Sequence, residues 1–542
     1  MTRAFTSLLC VVMAAGAAAQ EPAPEGLEPA PRVRLEPAPV CPDRYDVEAK
    51  FLANPDEAVL IAGVVGWCRQ NQTRLIWDER YAAVARRWSE GLVQSGTGAE
   101  KLLPVDRLRF ELRRSGVTDA AVLPTSVEGP AETLPPELLR FLDQEAKRGR
   151  YTHFAVGVGR TKDQQRMIST LLLGRRPAWL DPLPMCPPPG SRLELQLKLL
   201  RSYSHPRWLL ASPDGKVQAQ TLLYEEGAWR GTVPLDGGRG TYQMELIVQG
   251  PAGPEVAALF PLFAGVPRPD LPEVKVYPGP GRYPTPGDAA QALLKLTNQA
   301  REKAGLPALK RDAVLDKLAE EHSLELLADR HAVHRTSTTG ALVDRLHKQQ
   351  FPFSRALENV SLAPSPEAAH QRFMESPSHR LNLLDPNVNQ IGVGVAMERG
   401  PEEDILAATL VFVEPPESGD ITGMADKLLQ HVNGLRKAKG RFALGMDAQL
   451  SKAAQRSARR LADLGSKADP QREGELLLQE LEDSPQASRD PRLRFFRTSQ
   501  LKQVLASPEV LHEDINRLGI GLARIGSGAP EEFWVTLIFA GR

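Results

Sequence analysis

Between His331 and Ala396 the chain gathers its chemically capable side chains into three short clusters. They are H-R-T at 334–336, L-E-N-V at 357–360 and S-P-S-H-R-L-N-L-L at 376–384. His334, Glu358 and His379 thus place two imidazoles and one carboxylate on separate elements of one compact domain. Such groups either meet a ligand in a groove or hydrogen-bond to one another and tie loops to a helical layer. Spacing leaves both readings open. His322 lies on an apolar helical stripe and is expected in the core, whereas His331, His347 and His370 are expected at the surface. Asn359 and Asn382 are expected to satisfy loop backbone. No nucleophile elbow, HExxH or paired CxxC occurs, so no residue is assigned as catalytic. The glycines of I-G-V-G-V-A at 391–396 sit in a strand pattern with no helix opening after them, which excludes a phosphate loop.

The positioning elements can be read outward from these clusters. Asp288 with Gln291 three positions later reads as a capping box. Ala290, Leu293, Leu294 and Thr297 follow on one face, and Gly305 supplies a stop. Asp312 is expected to cap the next helix, whose Leu315, Leu318, Ala319, His322 and Leu326 share a stripe. I-G-V-G-V-A and A-A-T-L-V-F-V read as strands that close the domain near Glu414. A shift of 135 residues carries Leu294, Asn298, Arg301, Leu309 and Asp312 onto Leu429, Asn433, Arg436, Leu444 and Asp447. L-G-I-G-L-A at 518–523 and V-T-L-I-F at 535–539 mirror the two strands. Agreement over a whole domain predicts a second, shorter copy. Within it, S-P-E-V at 507–510 sets Val510 opposite His379, and no E-N-V analogue is visible. Asp78, Tyr81, Ala85 and Trp88 align on Asp312, Leu315, Ala319 and His322, and F-A-V-G-V-G at 154–159 on I-G-V-G-V-A, predicting a distant third copy at the front.

The S-P-x-H-R turn, the following L-D-P-N and the run I-G-V-G-V-A closely resemble the CAP superfamily (cysteine-rich secretory proteins, antigen 5, pathogenesis-related proteins), in its secreted bacterial, SCP-like branch. The resemblance implies an α-β-α sandwich with two histidines and one or two glutamates on the floor of a groove. The matching positions are His334, Glu358 and His379; the run L-L-A-D-R-H-A-V-H selects His334 over His331. On this resemblance His334 and His379 are the metal-ligand candidates. Two neutral imidazoles can hold a divalent ion such as Zn²⁺, with coordination left open for water or ligand and Glu358 orienting that water. The family's second glutamate, three residues after a helix tryptophan, is not carried over. Phe373 replaces the tryptophan, Ser376 stands at the register position with Glu375 one residue early, and Leu357 replaces the glycine before Glu-Asn.

At 542 residues the chain predicts three or four domains. Residues 1–19 read as a secretory signal peptide and 20–42 as a Pro-rich tether. Residues 43–184 read as a distant CAP-like α/β domain, in the order helix, long loop, helix, two strands. Residues 187–266 carry short strands punctuated by P-D-G, E-G and D-G-G and resemble an immunoglobulin-like β-sandwich. Residues 267–286 read as a Pro-rich linker, 287–415 as the CAP domain and 420–542 as its degenerate copy. The fold class is therefore multidomain, α+β with one all-β module. Loss of Cys10 with the signal leaves Cys41, Cys68 and Cys186; Cys41–Cys68 would staple the arm to the first domain, with free cysteines the alternative. Lys plus Arg and Asp plus Glu are 67 each, which argues against nucleic acid, and no segment after the signal is long enough to span a membrane. These features predict a secreted or periplasmic, non-catalytic binding protein for a lipid, cell-envelope component or peptide. A metal-dependent hydrolase or peptidase using His334, His379 and Glu358 is one alternative, and an adhesive scaffold the other.

Overall fold

The computed structural model describes residues 43–47, 50–95, 105–129, 135–145, 151–161, 167–251, 253–270, 281–400, 404–415, 421–482, 491–499, 501–526 and 532–541. The signal, the tether and Cys41 lie outside them. Cys68 is buried and Cys186 exposed, both as free thiols.

The unit holding the three clusters is built from helix α1 (Pro286–Lys303), strand β1 (Lys310–Arg311), α2 (Ala313–Asp329), α3 (Leu342–Lys348), β2 (Arg355–Ala363), α4 (Pro366–Glu375), α5 (Pro377–Leu383), β3 (Gln390–Glu398) and β4 (Ile405–Glu414). α1 begins earlier than expected. Its N-cap is Thr285, which exchanges capping-box hydrogen bonds with Asp288, so the box is Thr285/Asp288 rather than Asp288/Gln291. Pro286, with φ already fixed near the helical value and no N–H to lose, makes that earlier start favourable. Asp312 caps α2 as expected, its carboxylate accepting from the Val314 and Leu315 N–H groups.

The sheet runs β1-β3-β4-β2; β1 is parallel to β3 and the other pairs are antiparallel. Leu293, Phe373, Val393 and Leu410 pack between the sheet, α1 and α4 on one face. Leu315, Leu318, Leu346 and Val411 fill the other, under α2 and α3. α2 lies directly on β3: a Cβ at Gly394 would stand 2.0 Å from the Ala319 backbone, and one at Gly392 2.3 Å from Leu315. The glycine pair therefore serves close helix–strand approach.

Two further four-stranded sheets share this order, with one parallel pair and then antiparallel ones. In the first unit the strands are Ile76–Trp77, His153–Arg160, Met167–Arg175 and Ala121–Glu128; in the last, Gly445–Met446, Ile515–Ile525, Glu532–Gly541 and Arg492–Thr498. The first unit is richer than its expected order. Helices Pro55–Gln70 and Val105–Arg114 and strand Ala121–Glu128 are additional. Helix 55–70 buries Leu60, Val64 and Trp67 but leaves the apolar Val59 exposed, which blurs its period.

Between the first and middle units lie two antiparallel four-stranded sheets. Strand Ala178–Leu180 pairs with Arg192–Leu199, and Tyr45 is buried in the same core, so this module starts at 178 rather than 187 and recruits the arm at 44–45. Its neighbours dock on it. Leu259 and Val256 pack into the first unit, and α5 rests on strands Ser204–Ala211 and Gly240–Gly250.

Candidate functional site

β2 is an edge strand, and the site forms along its free side. Glu358 and the following Val360 and Leu362 face α2, where Leu326 packs on the two apolar residues. His322 comes from α2, His334 from the loop after it, Arg345 from α3 and His379 from α5. Sequence separations of up to 57 residues (379 − 322) thus collapse onto one carboxylate and its surroundings.

His334 Nδ1 lies 3.0 Å from Glu358 Oε1 and donates to it. Arg345 Nη2 donates to Glu358 Oε2 in an ion pair whose side chains are both nearly inaccessible. Burial works against the Glu358 charge, but the His334 hydrogen bond and the Arg345 guanidinium outweigh it and hold this carboxyl below its usual range. The His322 ring is fully buried; its Nε2 donates to the Val333 carbonyl at 2.9 Å and lies 3.9 Å from Glu358 Oε1. Burial lowers the pKa of His322. Nearby, Glu325 accepts hydrogen bonds from Thr336 and Thr339, which closes the loop carrying His334.

The ring centres of His334 and His379 are 6.5 Å apart, and the Phe373 ring meets His379 edge-on at 5.4 Å. His379 is buried, and that burial, with His334 nearby, drops its pKa to about 3, so the ring is neutral. Its Nδ1 is buried without a hydrogen-bond partner among the described residues. His334 keeps 39% of its side chain exposed and forms the open side of the group. Asn359 Nδ2 donates to the His379 carbonyl, and Asn382 Nδ2 to Asn359 Oδ1 and the Glu358 carbonyl. The two amides therefore hold backbone.

The structure thus brings His334, Glu358 and His379 together, with His322 immediately behind them. Arg345 was missed in the sequence because nothing local to L-V-D-R-L-H-K marks it; its one signal is burial of a charged residue beside a helical leucine pair, Leu342 and Leu346. His347 is exposed, as expected, and stacks on Phe353. His331 is only partly buried. His370 differs from expectation: it lies largely covered on α4, its Nδ1 has no partner among the described residues, and burial drops its pKa to about 4.

The donor set does not complete a metal site. Among the described residues no group of three or more His, Cys, Asp or Glu is arranged around a common point that could hold an ion. Two imidazoles about 6.5 Å apart could still share one. Both Glu358 oxygens, however, are engaged, one of them by a buried guanidinium that repels a dication.

The first and last units differ at the positions that register fixes. Register against the buried threonines Thr409, Thr536 and Thr170 sets Leu493 and Pro124 at the place of Glu358. Trp88 and Ser457 occupy the place of His322 on the matching helices. The expected pairing of Val510 with His379 is shifted. Arg301 reaches the carbonyls of Leu383, Asp385 and Val388, and Arg436 those of Val510, His512 and Ile515, so Val510 matches Leu383 and residue 506, an alanine, matches His379. The shorter segment before Val510 moved the register by four.

The helix–sheet–helix unit with this polar cluster is also the part of the chain that a family model matches. Residues 294–412 match the family described as Cysteine-rich secretory protein family. Among curated proteins the chain is similar to uncharacterized protein YkwD of Bacillus subtilis, 33% identical over 103 residues, which are 19% of this chain and 40% of YkwD. It thus spans less than half of that relative. Among solved structures, an outer surface protein from Borrelia burgdorferi is 21% identical, with 24% of this chain and 96% of that one covered and a TM-score of 0.22. An extracellular protein containing a SCP domain from Bacillus anthracis is 22% identical, with coverage of 42% and 67% and a TM-score of 0.21. No helix among the described residues is long and apolar enough to cross a membrane.

Proposed function

We propose that the protein is an exported, non-catalytic binding protein whose middle domain receives a lipid, cell-envelope component or peptide at the His334/Glu358/His379 group. One observation carries this reading: both oxygens of Glu358, the acid at the centre of the group, are already engaged by His334 and Arg345. Each oxygen thus already holds a hydrogen bond, one of them within a nearly inaccessible ion pair, which disfavours Glu358 as a base toward water. The half-exposed His334 and the unpartnered Nδ1 of His379 remain as polar points for a ligand. Export is supported by the apolar run after Arg3 and the A-A-A before Gln20. The shared strand order supports CAP-like copies at 43–184 and 420–542, and the paired antiparallel sheets support an immunoglobulin-like module between the first two.

The test uses the full chain with ¹⁵N-labelled histidines, titrated with phospholipid vesicles, muropeptides and an extended peptide in turn. Saturable displacement of the His334 and His379 ring signals by one of these, without its cleavage, is expected. That displacement should be lost in His334→Ala. Cleavage of any probe, or stoichiometric zinc lost from His334→Ala and His379→Ala, would replace this reading with the hydrolase. Partner binding untouched by either substitution would leave the adhesive scaffold.

A further inference from the structure

The S-P-S-H-R turn that presents His379 is held from outside its own domain. On strand Gly240–Gly250 of the neighbouring sandwich, Met244 and Leu246 point into that module's core. Glu245, between them, points to the opposite face, where a sandwich strand ordinarily meets water. Glu245 is instead wholly buried, with 0% exposure. Its Oε1 accepts from Ser376 Oγ at 2.8 Å and from Ser378 Oγ at 3.0 Å, and its Oε2 from the Ser378 N–H at 2.6 Å. Ser376 is at once the last residue capping α4 and the N-cap of α5, and its Oγ also receives the His379 N–H at 3.4 Å. Every donor that α5 offers at its start is thereby tied, directly or through Ser376, to one carboxylate supplied by a residue 131 positions earlier (376 − 245).

A buried carboxylate is costly unless each oxygen is matched. Burial pushes the Glu245 carboxyl up, and the hydrogen bonds from Ser376 and Ser378, with the Arg207 guanidinium of the adjacent strand, work against that. Such an arrangement fixes geometry as well as energy: α5 cannot turn about its axis without stranding the charge. Its other anchor, Asn359 on the His379 carbonyl, comes from the opposite side.

We propose that Glu245 is a positioning residue for His379: the sandwich steadies the His334/Glu358/His379 group by clamping the turn from which this ring is presented. The consequence for ligand binding rests on the reading above; the positioning itself does not.

The test compares full-length wild type with Glu245→Gln, which keeps the shape and removes the charge. Two readouts need no ligand: hydrogen exchange of the 378–384 amides and the ¹⁵N signals of the His379 ring. Exchange about tenfold faster than wild type is expected, with displaced ring signals and unchanged exchange in Ala448–Leu464 of the last unit. Simple packing between domains would leave the isosteric variant silent. Exchange within about twofold of wild type, with an unmoved ring, overturns the proposal. Should Glu245→Gln not fold, Ser376→Ala/Ser378→Ala strips the two hydroxyl contacts from the other partner, leaving only the Ser378 N–H, and is read against the same two thresholds. Loss of the clamp without loss of probe binding would leave this assignment standing and count against the binding site; the reverse would separate them equally well.

Discussion

The middle and last units use the same polar residues to hold their folds and different ones beside the edge strand. Arg301 and Arg436 are each buried and each reach three carbonyls of the loop before the third strand. Asn298 and Asn433 each exchange two hydrogen bonds with the backbone of Leu309 and Leu444. Gly394 and Gly521 admit the helix at Ala319 and Ala454. At the edge the likeness stops: where the middle unit has Glu358 and His322, the last has Leu493 and Ser457. A sheet of this order accommodates leucine there, so its layering does not require the carboxylate.

The largest effect should fall on the shared part. Arg301→Met and Arg436→Met each leave four carbonyls without this donor, three of them in the loop before the third strand, which costs about 3–5 kcal/mol. The loss should be of like size in both and confined to the unit carrying it, read as faster hydrogen exchange in α2 or in Ala448–Leu464 alone. Unequal losses would break the comparison at its base.

Next comes the difference itself. Glu358→Leu imports the last unit's residue but strands the Arg345 guanidinium in a nearly inaccessible place, costing about 3–5 kcal/mol. Adding Arg345→Met should restore most of that, because an apolar pair of similar volume is tolerated where a lone charge is not. Urea denaturation of the wild type, single and double variants decides it. A single variant as stable as the double would mean that the ion pair is not what holds Arg345 inside.

Acid should separate the units more gently. Burial holds His370 in the middle unit and His153 in the first near pKa 4, below the unfolded value of about 6.5. A depressed folded pKa means that the unfolded chain takes the proton first. The stability these neutral rings contribute is complete above about pH 6.5 and is lost as pH falls towards 4, by at most about 3 kcal/mol per ring. His370→Gln should flatten the pH dependence of the middle unit across that window; an unchanged slope would show that His370 charges without penalty.

Much of this contrast was legible beforehand and some was not, for physical reasons. The strands with alternating glycines, the Asp312 cap and the 135-residue shift are local patterns, and local patterns survive in a sequence. His334, Glu358 and His379 were found because their neighbours form distinctive runs. Arg345 and Glu245 had no such neighbours: each matters through a partner on another element, and in the case of Glu245 on another domain. The true counterpart of His379 was also hidden, since a deletion between Thr498 and Val510 shifts the register, and only the three carbonyls held by each arginine restore it. Leu493 and Arg494 likewise become the matches of Glu358 and Asn359 only through strand pairing.

That pairing yields the smallest and most discriminating expectation. Asn359 matches Arg494, and Asn382, one residue before Leu383, matches Glu509, one before Val510. The same contact between edge strand and following turn is therefore made by two amides in one unit and by an ion pair in the other. Asn382→Ala removes the amide donated to Asn359 Oδ1 and to the Glu358 carbonyl, and should cost about 1 kcal/mol whatever the ionic strength, because neutral hydrogen bonds are little screened. Glu509→Ala removes a pair whose arginine is nearly half exposed, and should cost no more than about 1 kcal/mol at low salt and less at 1 M, where exposed charges are screened within about 3 Å. Denaturation in urea at both salt concentrations measures the two costs side by side. Salt dependence in the middle unit, or its absence in the last, would mean that the two contacts are not equivalents and that the register drawn through the arginines is wrong at this point.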